Sequence, residues 1–224
     1  PAMRNMGTSG MGFVLALTVG LLAFLLVDMT LEALELAAES APLFQGPAMV
    51  ILAALATFLI LMGISRRGGR PEGLALAFYI AFGIGLHNFG EGLAIGAAFA
   101  AGSAGLGTFL VLGFAIHNVT EGIGIAAPIV RQKPPLWAFG ALTLVAGAPA
   151  VFGMWIGSLA YGSQWSALAL GVGAGAILQV IVEVSAFFLR SSGGRGPSWL
   201  SPPVLSGFLV GVAFMYVTAA AIKV

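Results

Sequence analysis

The sequence predicts an all-α integral membrane protein, a polytopic helical bundle in which residues 1–224 form one transmembrane domain. Hydrophobic residues make up 59 % of the chain. Charged residues make up only 8 %, whereas a typical soluble domain carries about 25 %. The mean hydropathy is +1.05, and the apolar residues form runs long enough to cross a bilayer, which takes roughly 20 residues.

Seven apolar runs are predicted to be transmembrane helices. They cover residues 11–37, 47–65, 72–101, 105–128, 135–159, 165–190 and 203–222. Gly, Pro, Ser and charged residues fill the breaks between the runs, as expected of loops. These loops are too short for a water-soluble domain, and nothing in the sequence indicates a nucleic-acid partner. Because the chain begins at Pro1 rather than methionine, we expect that a further piece precedes it.

The basic residues predict the orientation of the runs. Eight of the nine Lys and Arg residues fall on one side of an alternating seven-span topology. They are Arg4, Arg66, Arg67, Arg70, Arg131, Lys133, Arg190 and Arg195, and only Lys223 falls on the other side. Because positively charged loops stay in the cytoplasm, the N-terminal end is predicted to be inside and the C-terminal end outside. We expect the protein in the plasma (inner) membrane.

A group of acidic residues lies at the predicted outer end of the first run. Asp28, Glu32, Glu35 and Glu39 are spaced by 4, 3 and 4 residues, which places them on one helix face. One interpretation is a solvated helix end. The other is an acidic vestibule that concentrates cations before they enter the protein, in which case Asp28, Glu32 and Glu35 belong to an ion pathway.

The third and fourth runs carry the same motif, His-Asn-x-x-Glu-Gly, which extends from His87 to Gly92 and again from His117 to Gly122. These contain the only two histidines of the chain. Each histidine is near the middle of its run, and His and Glu four residues apart share one face of a helix. Because an acidic side chain at the bilayer centre costs about 2.5–3.5 kcal/mol, it marks a functional site by default.

Two imidazoles and two carboxylates from adjacent helices are a ligand set for one divalent cation. The charges of a filled site sum to zero, and mixed N/O ligands suit Zn²⁺, Fe²⁺, Mn²⁺, Co²⁺ or Cd²⁺ better than Ca²⁺ or Mg²⁺. With no cysteine in the chain, thiolate ligands are excluded. If the two histidines are level, straight antiparallel helices would separate the two glutamates. We therefore expect a bend at the neighbouring glycines, which are Gly90, Gly92, Gly122 and Gly124.

Four further polar residues are candidates for supporting roles. Asn88 and Asn118 project about 100° around the helix from the histidines, and each can orient a ligand or offer an amide oxygen to an ion. Gln179 and Glu183 lie one turn apart toward the cytoplasmic end of the sixth run. Glu183 is interpreted either as a ligand on the exit path or as a protonated structural acid.

Small residues predict how the helices associate. The pairs Gly92-x-x-x-Gly96 and Gly153-x-x-x-Gly157 allow helix backbones to approach closely, as does the run that contains Gly171, Gly173 and Gly175. We interpret these glycines as packing positions, because no strand or basic residue accompanies them to form a nucleotide-binding loop.

The paired motifs resemble those on the fourth and fifth helices of the ZIP (Zrt/Irt-like) family of divalent metal transporters. The resemblance implies transport of Zn²⁺, Fe²⁺, Mn²⁺ or Cd²⁺ toward the cytoplasm, with the ion as substrate and no prosthetic group. It also implies an eight-helix fold, a homodimer and an elevator-like movement of the metal-carrying helices. The implied metal ligands are His87, Glu91, His117 and Glu121, with Asn88 and Asn118 beside them.

Three departures from the family pattern are evident. Only seven runs are present, and alignment of the motif helices makes the first family helix the missing one. The proline that commonly precedes the motif glutamate is replaced by Gly90 and Thr120. The histidine-rich loop of the family is absent, and residues 65–72 take its place.

Two other functions use paired histidines in a membrane. A bis-His haem protein would not need a glutamate one turn from each histidine. An intramembrane metallohydrolase needs an open coordination position and a spare base, whereas both glutamates here have the spacing of ligands. Metal transport is therefore the predicted function, and the protein is not predicted to be an enzyme.

Overall fold

The computed structural model describes residues 6–38, 46–159, 162–191 and 200–222. Within these ranges the chain forms seven α-helices and one short 3-10 helix, and it contains no strand. The α-helices are α1 (Thr8–Ala38), α2 (Gly46–Arg66), α3 (Gly73–Ala100), α4 (Ala104–Ala126), α5 (Leu136–Leu159), α6 (Ser163–Ser191) and α7 (Pro202–Ile222). The 3-10 helix, Val130–Gln132, lies in the connection between α4 and α5.

The helices agree with the predicted runs to within three residues at each end. Six of them are long and apolar enough to cross a membrane, and α4 adds a shorter apolar segment, Leu110–Ala126. The predicted class, a polytopic helical membrane protein, is confirmed. Arg4, Glu39, Arg195 and Lys223, on which parts of the predicted orientation and vestibule depend, lie outside the described residues.

Glycines bring α3 and α5 into backbone contact. A Cβ atom on Gly92 or Gly96 would collide with the carbonyl oxygen of Ala150 or Met154 on α5. In the other direction, Cβ atoms on Gly153 and Gly157 would collide with carbonyl oxygens of α3. The two predicted Gly-x-x-x-Gly pairs therefore pack against each other, and the interface depends on the absence of side chains there.

Two further helix pairs use the same kind of contact. Gly207 and Gly211 of α7 pack against backbone carbonyls of α1. This Gly-x-x-x-Gly pair is not among the predicted packing positions. Gly171 and Gly175 of α6 pack against the backbone of α2. The interpretation of the α6 glycines as packing positions is correct for these two positions.

The centre of the bundle lies around α6, which contacts both α1 and α3. Leu22, Ile80 and Val180, one from each helix, are completely buried. Helix α3 also contacts α4 and α5, so it is surrounded by protein along much of its length. Following the predicted orientation, we call the end of the bundle near Ser103 the outer end and the end near Arg66 the inner end.

Candidate metal centre

The two motifs place four side chains around one point. His87 Nε2 lies 3.4 Å from Glu91 Oε2 and 3.5 Å from Glu121 Oε1. His117 Nε2 lies 3.0 Å from Glu91 Oε2. Ligand atoms of His87, His117 and Glu121 all fall within 4.8 Å of one another. The structure thus brings together the four residues that the motif spacing predicts.

Neither helix is broken at the glycines where a bend is predicted. Both α3 and α4 continue as α-helix through Gly90, Gly92, Gly122 and Gly124. The expectation assumed that the two histidines are level with each other. Instead His87 lies opposite Glu121 and Glu91 lies opposite His117. In this register a one-turn separation along each helix, about 6 Å, places the four side chains at the corners of a compact group.

The group is buried, and several of its polar atoms have no hydrogen-bond partner within the described part of the chain. The unpartnered atoms are His87 Nε2 and both carboxylate oxygens of Glu121. His87 is 0 % and Glu121 2 % exposed. Because a buried polar group without a partner costs about 1–3 kcal/mol, a ligand bound between these atoms would remove that cost.

The spacing of the ligand atoms suits a tetrahedral metal ion. Zn–N and Zn–O bonds are about 2.0–2.1 Å long, which sets neighbouring ligand atoms about 3.3–3.4 Å apart. The three N–O distances of 3.0, 3.4 and 3.5 Å bracket that value. The donor set is two imidazole nitrogens and two carboxylates, which suits borderline transition ions.

Met29 of α1 joins the site, and the sequence did not point to it. Its Sδ atom lies 2.9 Å from His87 Nδ1, and the residue is 4 % exposed. Its neighbours are small, since a Cβ on Gly173 of α6 would lie 2.7 Å from the Met29 methyl carbon. A methionine in an apolar helix is normally a core residue. Only the contact with His87 distinguishes it, and no motif signals that contact.

Asn88 and Asn118 lie beside the four ligands and bind each other. Asn88 Nδ2 donates to Asn118 Oδ1 at 3.0 Å and to the Ala146 carbonyl of α5 at 2.9 Å. Asn118 Nδ2 donates to the Phe114 carbonyl at 2.9 Å. The asparagines therefore connect α3, α4 and α5, which favours a supporting role. Asn88 Oδ1 is buried and has no partner within the described ranges.

Two cavities lead from the centre to the outer end. The first, of about 110 Å³, is lined by Asp28, Glu32, Glu91 and His117, among others. The second, of about 470 Å³, shares Glu32 with it and reaches Ser103. Two of the predicted pathway acids thus face the same space as the motif side chains. Glu35 is exposed and does not line either cavity.

On the inner side, Glu183 is paired with an arginine. Its Oε1 atom lies 3.2 Å from Arg66 Nη2 and accepts a hydrogen bond from Ser65 Oγ at 3.1 Å. Glu183 is completely buried, and Gln179 is 1 % exposed. The contacts join the inner end of α2 to α6.

A bundle of apolar helices that encloses a buried His/Glu group is the architecture of a membrane protein for metal ions. The model of the ZIP zinc transporter family matches residues 66–219, and the chain belongs to this family. The resemblance seen in the motifs is thereby confirmed. Members of the family are membrane-integral transporters of divalent metal ions rather than enzymes. No match was found among curated proteins.

The matched residues begin at the inner end of α2 and end within α7. They include both motifs and the Gln179–Glu183 turn of α6. They exclude nearly all of α1 and α2, so Met29, Asp28 and Glu32 lie outside the matched residues.

Proposed function

We propose that this protein carries Zn²⁺, or a similar divalent transition ion, across the plasma (inner) membrane toward the cytoplasm through His87, Glu91, His117 and Glu121. The observation that carries the proposal is the set of N–O distances of 3.0–3.5 Å between the two histidines and the two glutamates. It supports coordination of one ion by all four side chains.

The choice of ion rests on the donors. Two imidazoles favour Zn²⁺, Fe²⁺, Co²⁺ or Cd²⁺ over Ca²⁺ and Mg²⁺, which prefer oxygen ligands alone. The Met29 thioether beside His87 adds a soft group, which favours Zn²⁺ and Cd²⁺ over Mn²⁺. Zinc is the abundant ion that fits the whole set.

Direction is supported by the distribution of charge. The cavities that contain Asp28 and Glu32 open toward the outer end, where acids would concentrate cations. Arg66, Arg67 and Arg70 lie at the inner end of α2 and in the following turn, as the positive-inside rule requires of the cytoplasmic side.

One ion at the centre is proposed as the resting state. The carboxylates of Glu91 and Glu121 balance one M²⁺, and α5 contributes no acidic residue. A second M²⁺ beside the first would leave about two uncompensated charges in a low-dielectric bundle, which is strongly unfavourable. The pairing of Asn88 with Asn118 is consistent with supporting roles for both.

The central test is competitive metal uptake into proteoliposomes that contain the purified protein. We expect saturable Zn²⁺ uptake that Cd²⁺ inhibits and Mg²⁺ does not. His87→Ala and Glu121→Ala should abolish it, whereas Glu72→Ala, which removes an acid remote from the centre, should not. Normal uptake by both centre variants at normal expression would contradict the assignment.

Orientation has its own test, because the native chain contains no cysteine. Single cysteines at Ser103 and Gly68, both exposed, report the two ends. A membrane-impermeant reagent added outside cells should modify the Ser103→Cys variant but not the Gly68→Cys variant. The opposite pattern would reverse the proposed topology.

One transmembrane domain over residues 1–224 and assembly as a homodimer are also proposed, the second from family membership alone. Light scattering of the detergent-solubilised protein, corrected for bound detergent, measures the number of chains per particle. A mass of two chains supports the dimer, and a mass of one chain excludes it under those conditions.

A further inference from the structure

A cavity of about 230 Å³ lies at the inner end of the bundle, where the start of α3 and the end of α6 meet the connection between α4 and α5. A cavity needs only about 10–15 Å³ to hold one water, so this one has room for a group of several heavy atoms. Its polar lining comes from Glu72, Gln132 and Arg190, and its apolar lining from Leu76, Pro128 and Phe187. The central site uses none of these residues.

Arg190 is the lining residue that most needs a partner. Its Nη2 atom is buried and has no hydrogen-bond partner in the part of the chain that the structure describes. Among the described residues no carboxylate forms an ion pair with it. An arginine is always charged, and a buried charge without a partner is costly. The cavity therefore favours a ligand with an anionic group.

Glu72 contributes the opposite charge to the same cavity. It precedes α3, and its carboxylate makes no capping hydrogen bond to that helix. An exposed glutamate at a helix N-terminus is favourable by itself, so Glu72 alone would indicate nothing. However, Glu72 and Arg190 line one cavity without forming an ion pair with each other. Two opposite charges that share a cavity in this way suit a ligand that carries both charges.

The charges also exclude simpler ligands. A plain anion that binds Arg190 would be repelled by the Glu72 carboxylate, and a plain cation would be repelled by the guanidinium. A phosphate matches the planar fork of a guanidinium, which can donate two parallel hydrogen bonds to it. A primary ammonium can donate hydrogen bonds to a carboxylate, whereas a quaternary ammonium has no N–H group. The pair of charges therefore favours a phosphate ester of a primary amine.

Gln132 supplies neutral hydrogen-bonding groups between the two charged residues. Its side chain packs directly against Gly73, where a Cβ atom would lie 2.8 Å from both the Nε2 and the Oε1 atoms. Gly73 also has a φ of +53°, a conformation that favours glycine. The start of α3 thus admits the amide to the cavity, and an amide can both donate to a phosphate and accept from an ammonium.

The surroundings of the cavity indicate that the ligand is a lipid. Leu74 and Leu189, which are adjacent in the chain to Gly73 and Arg190, are 46 % and 55 % exposed. Such apolar surface on membrane helices suits acyl chains, and polar pockets between helices at this depth bind lipid headgroups. A soluble phosphate ester would gain nothing from these leucines.

We propose that this cavity binds the headgroup of a phospholipid with a primary ammonium, of the phosphatidylethanolamine class, from the leaflet at the inner end. Arg190 binds the phosphate, Glu72 binds the ammonium, and Gln132 hydrogen-bonds between them. The bound lipid joins α3 and the α4–α5 connection to α6. This inference does not depend on the central metal site, and the headgroup takes no part in ion coordination.

A non-specific lipid contact makes a different prediction from a headgroup site. Long basic side chains at the ends of membrane helices commonly extend toward lipid phosphates, and all phospholipids offer that phosphate. Such a contact would not distinguish one headgroup from another. A site that uses both Glu72 and Arg190 should distinguish phosphatidylethanolamine from phosphatidylcholine, which lacks N–H donors, and from phosphatidylglycerol, which lacks the cation.

The test is native mass spectrometry of the purified full chain in detergent, with these three phospholipids added in turn and matched in their acyl chains. We expect phosphatidylethanolamine to bind about tenfold more tightly than either of the other two. Equal binding of all three would mean a non-specific contact and would overturn the proposal. Soluble phosphoethanolamine should not compete at equal concentration, and equal competition by it would refute the assignment to a lipid.

Variants assign the two charges. Arg190→Gln should weaken phosphatidylethanolamine binding about tenfold. Glu72→Gln should remove the preference over phosphatidylcholine, and Glu72→Lys should shift the preference to phosphatidylglycerol. Arg67→Gln and Glu35→Gln are the matched controls, because they remove an exposed arginine and an exposed acid that do not line the cavity. Loss of the preference in these controls would contradict the proposed site.

Thermal unfolding guards against a variant that does not fold. Added phosphatidylethanolamine should raise the unfolding temperature of the native protein and of Arg67→Gln, but not that of Arg190→Gln. Arg190→Lys keeps the charge without the planar fork, so its lipid affinity should lie between those of the native protein and Arg190→Gln. A preference for phosphatidylethanolamine that survives unchanged in folded Arg190→Gln would overturn the proposal.

Discussion

The two copies of His-Asn-x-x-Glu-Gly have the same motif and different surroundings. The copy on α3 is packed between α5 and α6, and its histidine is completely buried. The copy on α4 has an outward face of exposed apolar side chains, which includes Leu112, Ile116 and Val119. One copy therefore belongs to the protein core, whereas the other lies on a helix that contacts lipid or further protein.

The glutamates differ in the opposite way. The Glu91 side chain on α3 is 18 % exposed and lines the outer cavity. Glu121 on α4 is 2 % exposed, and both its oxygens lack a hydrogen-bond partner within the described part of the chain. Under the proposed function, an ion from the outer cavity would therefore reach the Glu91 carboxylate before the more deeply buried Glu121 carboxylate.

The histidines are oriented by different partners. His117 Nε2 contacts the Glu91 carboxylate of α3 at 3.0 Å, whereas His87 Nδ1 contacts the Met29 thioether of α1. A thioether is a weak acceptor compared with a carboxylate. The duplicated motif thus supplies the same two side-chain types twice, whereas the neighbouring helices give each copy different surroundings.

The largest expected effect is the loss of a deep ligand. If a zinc-binding free energy of about 12 kcal/mol is divided equally among four ligands, each ligand contributes about 3 kcal/mol, which corresponds to about 100-fold in affinity. Glu121→Ala should reach this loss of Zn²⁺ affinity, measured by isothermal titration. Glu91→Ala should lose only about tenfold, because water from the outer cavity can replace the carboxylate. Equal losses would remove the distinction between the two glutamates.

The motif glycines give the next effect. A Cβ on Gly92 would collide with the Ala150 carbonyl, while a Cβ on Gly122 would meet nothing within 4 Å. Gly92→Ala should therefore lower the free energy of unfolding by about 1–3 kcal/mol. Gly122→Ala is the matched control and should be neutral or slightly stabilising. Thermal unfolding in detergent measures both, and a destabilised Gly122→Ala would contradict the packing difference.

Acidification tests whether both copies act on one ion. Imidazole and carboxylate bind metal only when deprotonated, and an unperturbed histidine titrates near pH 6.5. Protons therefore compete with the metal, and Zn²⁺ affinity should fall by about tenfold or more from pH 7 to pH 5. Uptake through a zinc ionophore in protein-free liposomes is the control. Affinity that stays constant over this interval would exclude histidine ligation.

The smallest effect is expected at Met29. Met29→Leu preserves volume and removes the sulfur, so the protein should fold normally. We expect Cd²⁺ affinity to fall about threefold to tenfold, and Mn²⁺ affinity to change less, because a thioether prefers soft ions. Met215→Leu is the matched control, since Met215 lines the outer cavity without a recorded contact to a motif histidine. Equal changes for both ions would mean that Met29 only packs against His87.

The chain's own residues were enough to predict the seven helices, because a bilayer requires long apolar segments and the loops that separate them are polar. They were also enough to predict His87, Glu91, His117 and Glu121, because charged and imidazole side chains in apolar runs are costly and occur here in a repeated pattern. The Gly-x-x-x-Gly pairs likewise predicted close backbone approach, although they did not specify that α3 and α5 are the helices that meet.

Other features depended on how the helices pack. The register that sets His87 against Glu121 brings the four side chains together along two continuous helices, and no periodicity within either helix specifies a register between two helices. Met29 approaches His87 from 58 residues away in the chain, and Arg66 reaches Glu183 on a different helix. A sequence records which side chains are available at each position. Which of them meet is decided by packing between distant segments, and in this protein that packing makes Glu91 rather than Glu121 line the outer cavity.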